Sequence, residues 1–334
     1  MTANEPVTTS PVPDYRTLRI VLRLAGRAPS VHNTQPWRWV FDGVRLHLHA
    51  DPDRLLPAAD PSGRQRVISC GATLHHARTA FAAHGWHTNT IRLPDPYRPD
   101  YLAVIEFRPW TTPPPGTTTR SRAIDQRYTD RLPMLEPAAF DGIAAALRRL
   151  VAPHELEFDV LEADLRPRLA AVSDTAAAVR HDDQMYQEEL HWWAGHPDTP
   201  EGVPPAALVS DAEFARVDVG RAFPSAPHSM RRATLTDHAR LAVISSYGDA
   251  PSQWLRAGEA LSAVLLECTA TGLASCALTH LTELPTGRRT VASLLPHSTV
   301  AQVIIRIGMA PDNEPPPAPT PRRPLVDILE LRYS

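Results

Sequence analysis

The 334-residue chain contains no lysine, so all 34 of its basic side chains are arginine. This absence excludes a phosphate-binding lysine of the Walker or protein-kinase type and any Schiff-base enzyme, because each needs an amine. Arginine has a permanent charge and forked N–H donors that suit phosphate, but it cannot act as a base near neutral pH. The 37 acidic residues give a formal net charge of −3. Without a basic excess, we expect no nucleic-acid partner.

Cysteines and long apolar runs are also scarce. The three cysteines, Cys70, Cys268 and Cys276, form no CxxC pair, which implies no disulfide framework and favours a reducing, cytoplasmic location. We predict that Cys268 and Cys276 are small core residues. The most apolar stretches, near 259–278 and 299–310, are interrupted by charged or amide side chains, so no membrane span is expected. Residues 1–14 lack the features of a signal peptide and are predicted to be a disordered tail.

Several motifs of common enzyme classes are missing. No GxGxxG follows a predicted strand, which argues against a Rossmann dinucleotide domain, and neither GxSxG nor HExxH occurs. His75, His76 and His84 share one predicted helix, but no carboxylate lies at ligand spacing. We therefore predict packing and surface roles for these histidines and no metal site.

Two successive parts of the chain have a similar order of predicted elements. The first part contains a helix over 15–27, a hairpin over 38–49 that turns at Asp42-Gly43, a helix over 67–84 that ends at Gly85, and a strand over 101–107. A linker rich in proline and threonine covers 110–119. The second part contains helices over 137–150 and 253–271 and strands over 156–161 and 299–307. This order predicts a first half at 15–118 and a second half at 119–334.

The two long helices share a spacing of small and apolar residues. At the same relative offsets, Gly71, Leu74, Ala83 and Gly85 match Gly258, Leu261, Ala270 and Gly272. Together with the shared order of elements, this match favours an ancient duplication. The alternative is that any two buried helices have small and apolar residues in common.

A long insertion over 185–232 interrupts the second half. It contains Tyr186, Trp192 and Trp193, followed by a loop rich in proline and glycine. A loop of this length is usually functional or disordered, and a disordered segment is normally poor in aromatic residues. We therefore predict a lid, with Trp192 and Trp193 as plugs. The alternative is that the two tryptophans pack on a helix.

The most informative segment is the loop RAPSVHNTQPWRW at 27–39. Its prolines restrict the backbone, while Ser30, Asn33 and Gln35 present hydroxyl and amide groups. Such a loop can bind the edge of a heteroaromatic ring that has both donors and acceptors. It can equally be a self-satisfied connection in which Ser30 and Asn33 cap turns, and chemistry alone slightly favours that interpretation.

The loop resembles the APSxxNxQPWxF signature of FMN-dependent nitroreductases, and the order of further motifs is similar to one branch, the Acg family. These motifs are RQRVISCGATLHHA at 64–77, AIDQRYTDR at 123–131, WLRAGEALSAVLL at 254–266, TGLASC at 271–276 and PTPRRPL at 319–325. The resemblance extends from about residue 16 to residue 330. It implies an α+β, nitroreductase-like fold with a central, mainly antiparallel sheet flanked by helices. It also implies that the two similar halves are a dimer fused into one chain, a pseudo-dimer.

The resemblance implies FMN as the cofactor and assigns residues to its phosphate. Arg127, Thr129 and Arg131 match the family's phosphate motif, with threonine in place of the usual serine. Arg322 or Arg323 matches a C-terminal arginine that completes the phosphate clamp. The phosphate carries about −1.5 to −2 charges, so forked guanidinium donors are suited to it.

The resemblance also assigns two segments to the flavin ring. Pro29, Ser30, Val31 and Asn33 match the loop that lines the ring, with Gln35 supporting its geometry. The second segment, Leu273, Ala274 and Ser275, matches a GLGS sequence whose backbone amides approach the reactive edge, although alanine replaces a glycine here. Family members often place a lysine near the flavin N1. In this chain an arginine or a backbone amide must take that role.

The function implied is an FMN-dependent oxidoreductase of the nitroreductase type. NAD(P)H would pass a hydride to the flavin N5, and an electron-poor acceptor such as a nitroaromatic or a quinone would then take the electrons in a ping-pong cycle. No side chain need act as acid or base, so no catalytic residue is predicted. The alternative is a non-catalytic protein that stores or sequesters FMN under the lid. Both a monomer and a homodimer are compatible with a fused pseudo-dimer.

Overall fold

The computed structural model describes residues 12–195, 201–224, 226, 229–312 and 314–332. Most of the predicted N-terminal tail, residues 1–11, lies outside this range. The first helix begins at Tyr15, where the Asp14 side chain accepts a hydrogen bond of 2.7 Å from the backbone N–H of Thr17. This side-chain cap gives the helix a defined start directly after the predicted tail.

Helices and strands alternate through both halves. The helices are α1 (Tyr15–Ala25), α2 (Arg64–Ala83), α3 (Thr117–Gln126), α4 (Phe140–Val151), α5 (Arg166–His181), α6 (Gln184–Trp192), α7 (Asp211–Phe214), α8 (Pro251–Ala270), α9 (His280–Glu283), α10 (Pro285–Ala292) and α11 (Leu325–Ile328). The strands are β1 (Trp37–Phe41), β2 (Leu46–Ala50), β3 (Trp86–Arg92), β4 (Tyr101–Pro109), β5 (Glu157–Val160), β6 (Arg240–Ser246), β7 (Ala274–Leu278), β8 (Val300–Gly308) and β9 (Leu329–Leu331). Each element predicted from the sequence is present, with its ends shifted by a few residues.

Each half contributes one mainly antiparallel sheet flanked by helices, as the predicted α+β class requires. The first sheet has the order β3-β4-β2-β1-β9 and the second the order β5-β6-β8-β7. Strand β9 comes from the end of the chain and pairs in parallel with β1. The predicted division at residue 118 falls inside α3. Because β9 belongs to the first sheet, that sheet also includes a strand from the second half of the sequence.

The two long helices, α2 and α8, pack against each other at the centre of the molecule. A Cβ atom on Gly71 would lie 2.0 Å from the backbone oxygen of Leu255, and one on Gly258 would lie 1.9 Å from that of Ile68. Each of these oxygens belongs to the residue three positions before the facing glycine. The contact is therefore reciprocal, and glycine is required at both positions because the backbones touch.

The glycines that follow the two helices also correspond. Gly85 and Gly272 have φ angles of +81° and +80°, in the left-handed region where glycine is favoured. At two of the four matched offsets, those of the glycines, the residues thus occupy corresponding positions. Cys268 and Cys276 are buried as predicted, and burial raises the pKa of both thiols. Among the helices of the described residues, none has the length and apolar content needed to cross a membrane.

Candidate functional site

A cavity of about 910 Å³, measured with its open side included, lies where the two halves and the insertion meet. From the first half it is lined by the loop before β1 and by α2, and from the second half by the segment after α3 and by the end of β7. Five of the residues assigned from the sequence line it: Pro29, Ser30, Val31, Thr129 and Arg131. Its mixed polar and apolar lining is typical of a ligand-binding site.

The loop before β1 is held in an unusual backbone conformation. His32, Asn33 and Gln35 have φ angles of +48°, +57° and +49°, which side-chain-bearing residues rarely adopt. The Ser30 hydroxyl accepts a hydrogen bond of 3.0 Å from the backbone N–H of Gln35, and this contact closes the loop. Strain of this kind persists only where surrounding contacts fix the loop, and it is common at ligand sites.

The two amide side chains of the loop bind protein groups and do not line the cavity. Asn33 Nδ2 donates to the backbone oxygens of Gly202, at 2.8 Å, and Pro321, at 3.3 Å. Gln35 Oε1 accepts from the backbone N–H of Arg323 at 2.8 Å. Asn33 and Gln35 therefore tie the loop to the insertion and to the C-terminal segment. Only Pro29, Ser30 and Val31 of this predicted set face the cavity.

A cluster of three arginines, Arg27, Arg127 and Arg322, lies at one end of this region. Arg127 and Arg322 both donate to the backbone oxygen of Arg27, at 3.3 and 3.2 Å. The Nε atoms of Arg127 and Arg322 are buried and make no hydrogen bond. Among the described residues neither of these two arginines forms an ion pair with a carboxylate. Arg27 itself lies 3.2 Å from a carboxylate oxygen of Asp125, so Arg127 and Arg322 are the members of the cluster that lack an anionic partner in the described ranges.

Burial and mutual repulsion weaken the protonated forms of this arginine cluster. Burial first, and then the charge of Arg27, lowers the pKa of Arg127 to about 10. Burial, followed by the charges of Arg127 and Arg27, lowers the pKa of Arg322 to about 9. Both side chains remain charged at pH 7. A dianionic phosphate placed here would offset the repulsion and satisfy the orphaned donors, so the cluster fits the phosphate of FMN.

The structure distinguishes between the two C-terminal arginines of the PTPRRPL motif. Arg322 joins the arginine cluster, whereas Arg323 points elsewhere and donates to the backbone oxygens of Gln35, at 3.2 Å, and Asp327, at 3.0 Å. Arg323 also lies 3.5 Å from a carboxylate oxygen of Asp51. Arg323 therefore has a structural role in fixing the C-terminal segment, and Arg322 is the arginine with a geometry suited to phosphate.

Arg131 lies apart from the arginine cluster and lines the cavity itself. It donates to the backbone oxygen of Ala207 at 3.3 Å, and its guanidinium lies 5.1 Å from the centre of the Phe223 ring. Two further arginines of the cavity are neutralised by carboxylates, Arg221 by Glu283 and Arg306 by Asp237. In the described part of the chain Arg131 has no such carboxylate partner. It is the cavity's uncompensated positive charge, not a member of the phosphate clamp as the sequence suggested.

The part of β7 that lines the cavity begins later in the chain than the resemblance to the GLGS segment implied. Leu273, Ala274 and Ser275 are buried in and before the strand, and the backbone oxygen of Ser275 accepts from Asp130 at 2.9 Å. They do not line the cavity. Its wall is made by the next four residues, Cys276, Ala277, Leu278 and Thr279. The Thr279 hydroxyl donates to Gln65 Oε1 of α2, and this contact joins the two halves at the cavity.

The insertion over 185–232, which the sequence predicted to be a lid, lines one side of the cavity, but with side chains other than the predicted plugs. The lining residues from the insertion are Val209, Phe214, Val217, Gly220, Arg221 and Phe223. Trp192 is 71% exposed, and Trp193 packs against a small apolar cluster that includes Leu56. The prediction that these tryptophans are plugs is wrong, because α6 turns them away from the cavity.

Ion pairs and hydrogen bonds fix the lid to the first half. Arg54 and Glu201 form a two-pronged pair, with one contact of 2.8 Å. Glu189 accepts from the backbone N–H groups of Ala58 and Ala59 at 3.0 Å each. Arg54 and Glu201 are partly shielded from water, which makes such a two-pronged pair stronger than an exposed ion pair. The described part of the lid is therefore docked on the first half.

Two residues near the arginine cluster were not assigned from the sequence. Arg27 is the first residue of the RAPS motif and part of the arginine cluster. Its place in that motif was the feature of the sequence from which its role could have been predicted. His76 is fully buried, with Nδ1 2.7 Å from the Ser262 hydroxyl and Nε2 without a partner. Burial and the charge of Arg127 hold its pKa well below the usual value, so the ring is neutral. No group of three or more metal-ligating side chains occurs among the described residues.

Comparisons with known proteins agree with this architecture. No protein-family model matches the chain. A Mycobacterium tuberculosis protein provisionally named NAD(P)H nitroreductase acg is 43% identical over 316 residues, which cover 94% of this chain and 96% of the relative. A second M. tuberculosis protein with a provisional NAD(P)H nitroreductase name is 36% identical over 328 residues, which cover 95% of this chain and 92% of that relative.

A solved structure shares the fold across almost the whole chain. It is a provisionally assigned nitroreductase from Anabaena variabilis, with a TM-score of 0.53, 10% sequence identity and 90% of each chain covered. At this identity the likeness concerns the fold alone. It confirms that the arrangement of both sheets and their helices is nitroreductase-like.

Proposed function

The chain belongs to the Acg family of the nitroreductase superfamily, and from this premise we propose that it is an FMN-dependent oxidoreductase that uses NAD(P)H. The observation that carries the proposal is the arginine cluster, in which the charges of Arg127 and Arg322 repel each other and have no carboxylate partner among the described residues. Arg27 and Arg127 each lie two residues before a residue that lines the cavity, Pro29 and Thr129. The names of the relatives support the reaction class. When bound, FMN would supply hydride transfer between a reduced nicotinamide and an electron-poor acceptor such as a nitroaromatic or a quinone.

Both halves of the chain, which we propose form a pseudo-dimer, would contribute residues to the cofactor site. Arg127, with Thr129 beside it, and Arg322 would hold the phosphate, while Pro29, Ser30 and Val31 would line one face of the flavin ring. Each charge-assisted hydrogen bond to phosphate contributes about 1.5–3 kcal/mol. Asn33 and Gln35 act as positioning residues, because their contacts fix the loop that carries the lining. Backbone groups of 276–279, rather than those of Leu273, Ala274 and Ser275, would approach the ring.

Arg131 takes the role that a lysine has in many nitroreductases. A reduced flavin carries negative charge near N1, and a cation close to N1 stabilises the reduced, anionic form of the flavin. Arg131 is the cavity arginine without a carboxylate partner, and burial lowers its pKa, so an anion next to it is favoured. We expect Arg131→Gln to lower the reduction potential of the bound flavin, while Arg122→Gln, on an exposed part of α3, leaves the potential unchanged.

The docked lid favours a second candidate function, a protein that stores or sequesters FMN without turnover. The lid forms one side of the cavity and is tied down by the Arg54–Glu201 pair and by Asn33. A closed lid would exclude a nicotinamide from the flavin while retaining the cofactor. The oxidoreductase and the storage protein therefore share one site and differ in access to it.

Anaerobic mixing with NADH and then NADPH distinguishes the two functions. An oxidoreductase loses its flavin absorbance with at least one nicotinamide, at a rate that rises with nicotinamide concentration and saturates. A storage protein keeps its absorbance with both nicotinamides and loses it with dithionite. A chain that is colourless as purified and binds no added FMN would refute both functions.

A further inference from the structure

A second groove opens on the surface directly beside the arginine cluster. It runs between α1 and the C-terminal segment that contains α11 and β9, and it encloses about 1870 Å³ with its open side included. Arg27 and Arg322 line its inner end, so the groove and the arginine cluster share two side chains. A ligand whose phosphate sat in the cluster would have a free path outward along this groove.

A row of arginines follows that path along α1. Arg19 and Arg23 lie four residues apart on α1, and Tyr15 lies one further turn outward. Residues at this spacing share one face of a helix. Arg27, two residues after the end of α1 at Ala25, continues the row of positive charge. It begins at the surface and ends at the arginine cluster.

The outer arginines of the row are uncompensated. Arg19 and Arg23 are exposed, and in the described ranges neither is paired with a carboxylate. The carboxylate that lines the groove, Asp125, is 3.2 Å from Arg27. The guanidinium of Arg19 lies 5.6 Å from the centre of the Tyr15 ring. An exposed row of one sign is a site of positive potential that attracts anions.

Apolar side chains alternate with these charges. Tyr15, Ile20 and Val326 are exposed and line the same groove. Large exposed apolar groups beside uncompensated charges are typical of sites that bind a ligand with both characters. A nucleoside has this combination, since its base stacks on aromatic or apolar side chains while its phosphates require cations.

We propose that the groove binds a nucleoside 5′-phosphate moiety next to the flavin phosphate. Arg19 and Arg23 would neutralise its phosphate charge, and Tyr15 would stack on its base. The moiety has two chemical sources, the adenylate half of a flavin adenine dinucleotide, which adds one phosphate to that of the flavin, or a separate nucleotide such as ADP bound beside FMN. The inference rests on the proposed function, because the flavin phosphate defines the inner end of the groove.

The experiment compares three ligands on the full-length chain. FMN and FAD are titrated against the flavin-free protein and followed by flavin fluorescence, and ADP is titrated against the FMN-loaded protein by calorimetry. The double variant R19Q/R23Q removes both exposed arginines, which have no structural ion pair, so folding is unaffected. R16Q is the matched control, since Arg16 is an exposed arginine of the same helix that does not line the groove.

The expected result is a selective loss in the double variant. Affinity for FAD, or for ADP in the presence of FMN, falls at least about tenfold, while affinity for FMN changes less than about twofold. R16Q resembles the wild type in all three titrations. Loss with FAD alone identifies an attached adenylate, and loss with ADP identifies a separate nucleotide.

Two results would overturn the inference. In the first, FAD binds at least tenfold more weakly than FMN and ADP does not bind. In the second, R19Q/R23Q binds all ligands as the wild type does, or weakens FMN as much as the others. In both cases FMN binding to the wild type leaves the proposed function intact. If FMN itself fails to bind, the proposed function and this inference fall together.

Discussion

The arginine cluster predicts that one substitution has opposite effects on folding and on cofactor binding. In Arg127→Gln, the flavin-free protein loses a buried charge whose pKa is lowered from its ordinary value to about 10 by burial and by the charge of Arg27. That difference corresponds to at most about 3 kcal/mol of unfavourable free energy in the folded state. We therefore expect the free energy of unfolding of the flavin-free variant to rise by about 1–3 kcal/mol in urea titrations. The hydrogen bond to the Arg27 oxygen, 3.3 Å long, is too weak to cancel this gain.

The same variant loses one charged partner of the phosphate. A charge-assisted hydrogen bond contributes about 1.5–3 kcal/mol, so the dissociation constant for FMN is expected to rise by about 10- to 150-fold. Flavin fluorescence titration measures it. Arg122→Gln is the matched control, because Arg122 is an exposed residue of the adjoining helix α3 and neither quantity depends on it. Weaker binding together with a less stable flavin-free protein would refute the reasoning, since the loss would then be one of structure.

Three further predictions concern packing, the lid and pH. Gly71→Ala places a methyl group 2.0 Å from the Leu255 oxygen and should reduce the free energy of unfolding by more than about 3 kcal/mol. The control Gly142→Ala places its methyl group in open space on α4 and should raise the free energy of unfolding by up to about 1 kcal/mol. Equal melting temperatures for the two variants would contradict the close helix contact. Gly202→Ala strains a φ of +76° and places its Cβ 2.7 Å from a main-chain oxygen of the lid, so FMN should dissociate faster in stopped-flow exchange. Burial raises the pKa of Asp60 to about 6, so the folded state binds its proton more tightly than the unfolded state. The cost of ionising this carboxylate is present above pH 6 and disappears as pH falls to about 4. The stability of Asp60→Asn relative to wild type should therefore be greater at pH 7 than at pH 4.5 by about 2 kcal/mol, and a pH-independent difference would contradict it.

Local patterns in the sequence predicted the elements. The matched offsets of Gly71 and Gly258 were interpreted as a sign of duplication, and the structure shows that these two positions also face each other across α2 and α8, where only glycine allows the backbones to touch. The turn at Gly43 and the helix end at Gly85 were predicted because glycine favours such positions, and both glycines have positive φ angles. Backbone conformations that demand a particular residue type leave a signal in the sequence that needs no tertiary information.

The errors at the site have a common physical origin. Arg131 was grouped with Arg127 because both match the family's phosphate motif, but one lines the cavity and the other joins the arginine cluster. The roles of Arg322 and Arg323, which are adjacent, depend on contacts with Arg27 and Gln35 made across almost 300 residues. Trp192 has the composition of a plug but lies on the outer face of α6. Side-chain direction at long range is set by packing, which a single sequence does not encode locally.

The position of β9 has a consequence for how the protein holds its ligand. Arg322 lies twelve residues before the final residue, Ser334, and is fixed by a segment that continues into the strand beside β1. Under the proposed function, the phosphate would be held jointly by Arg27 and Arg127 and by Arg322, which comes from the segment leading into β9. Loosening β9 from β1 would therefore weaken phosphate binding without any change to Arg27 or Arg127.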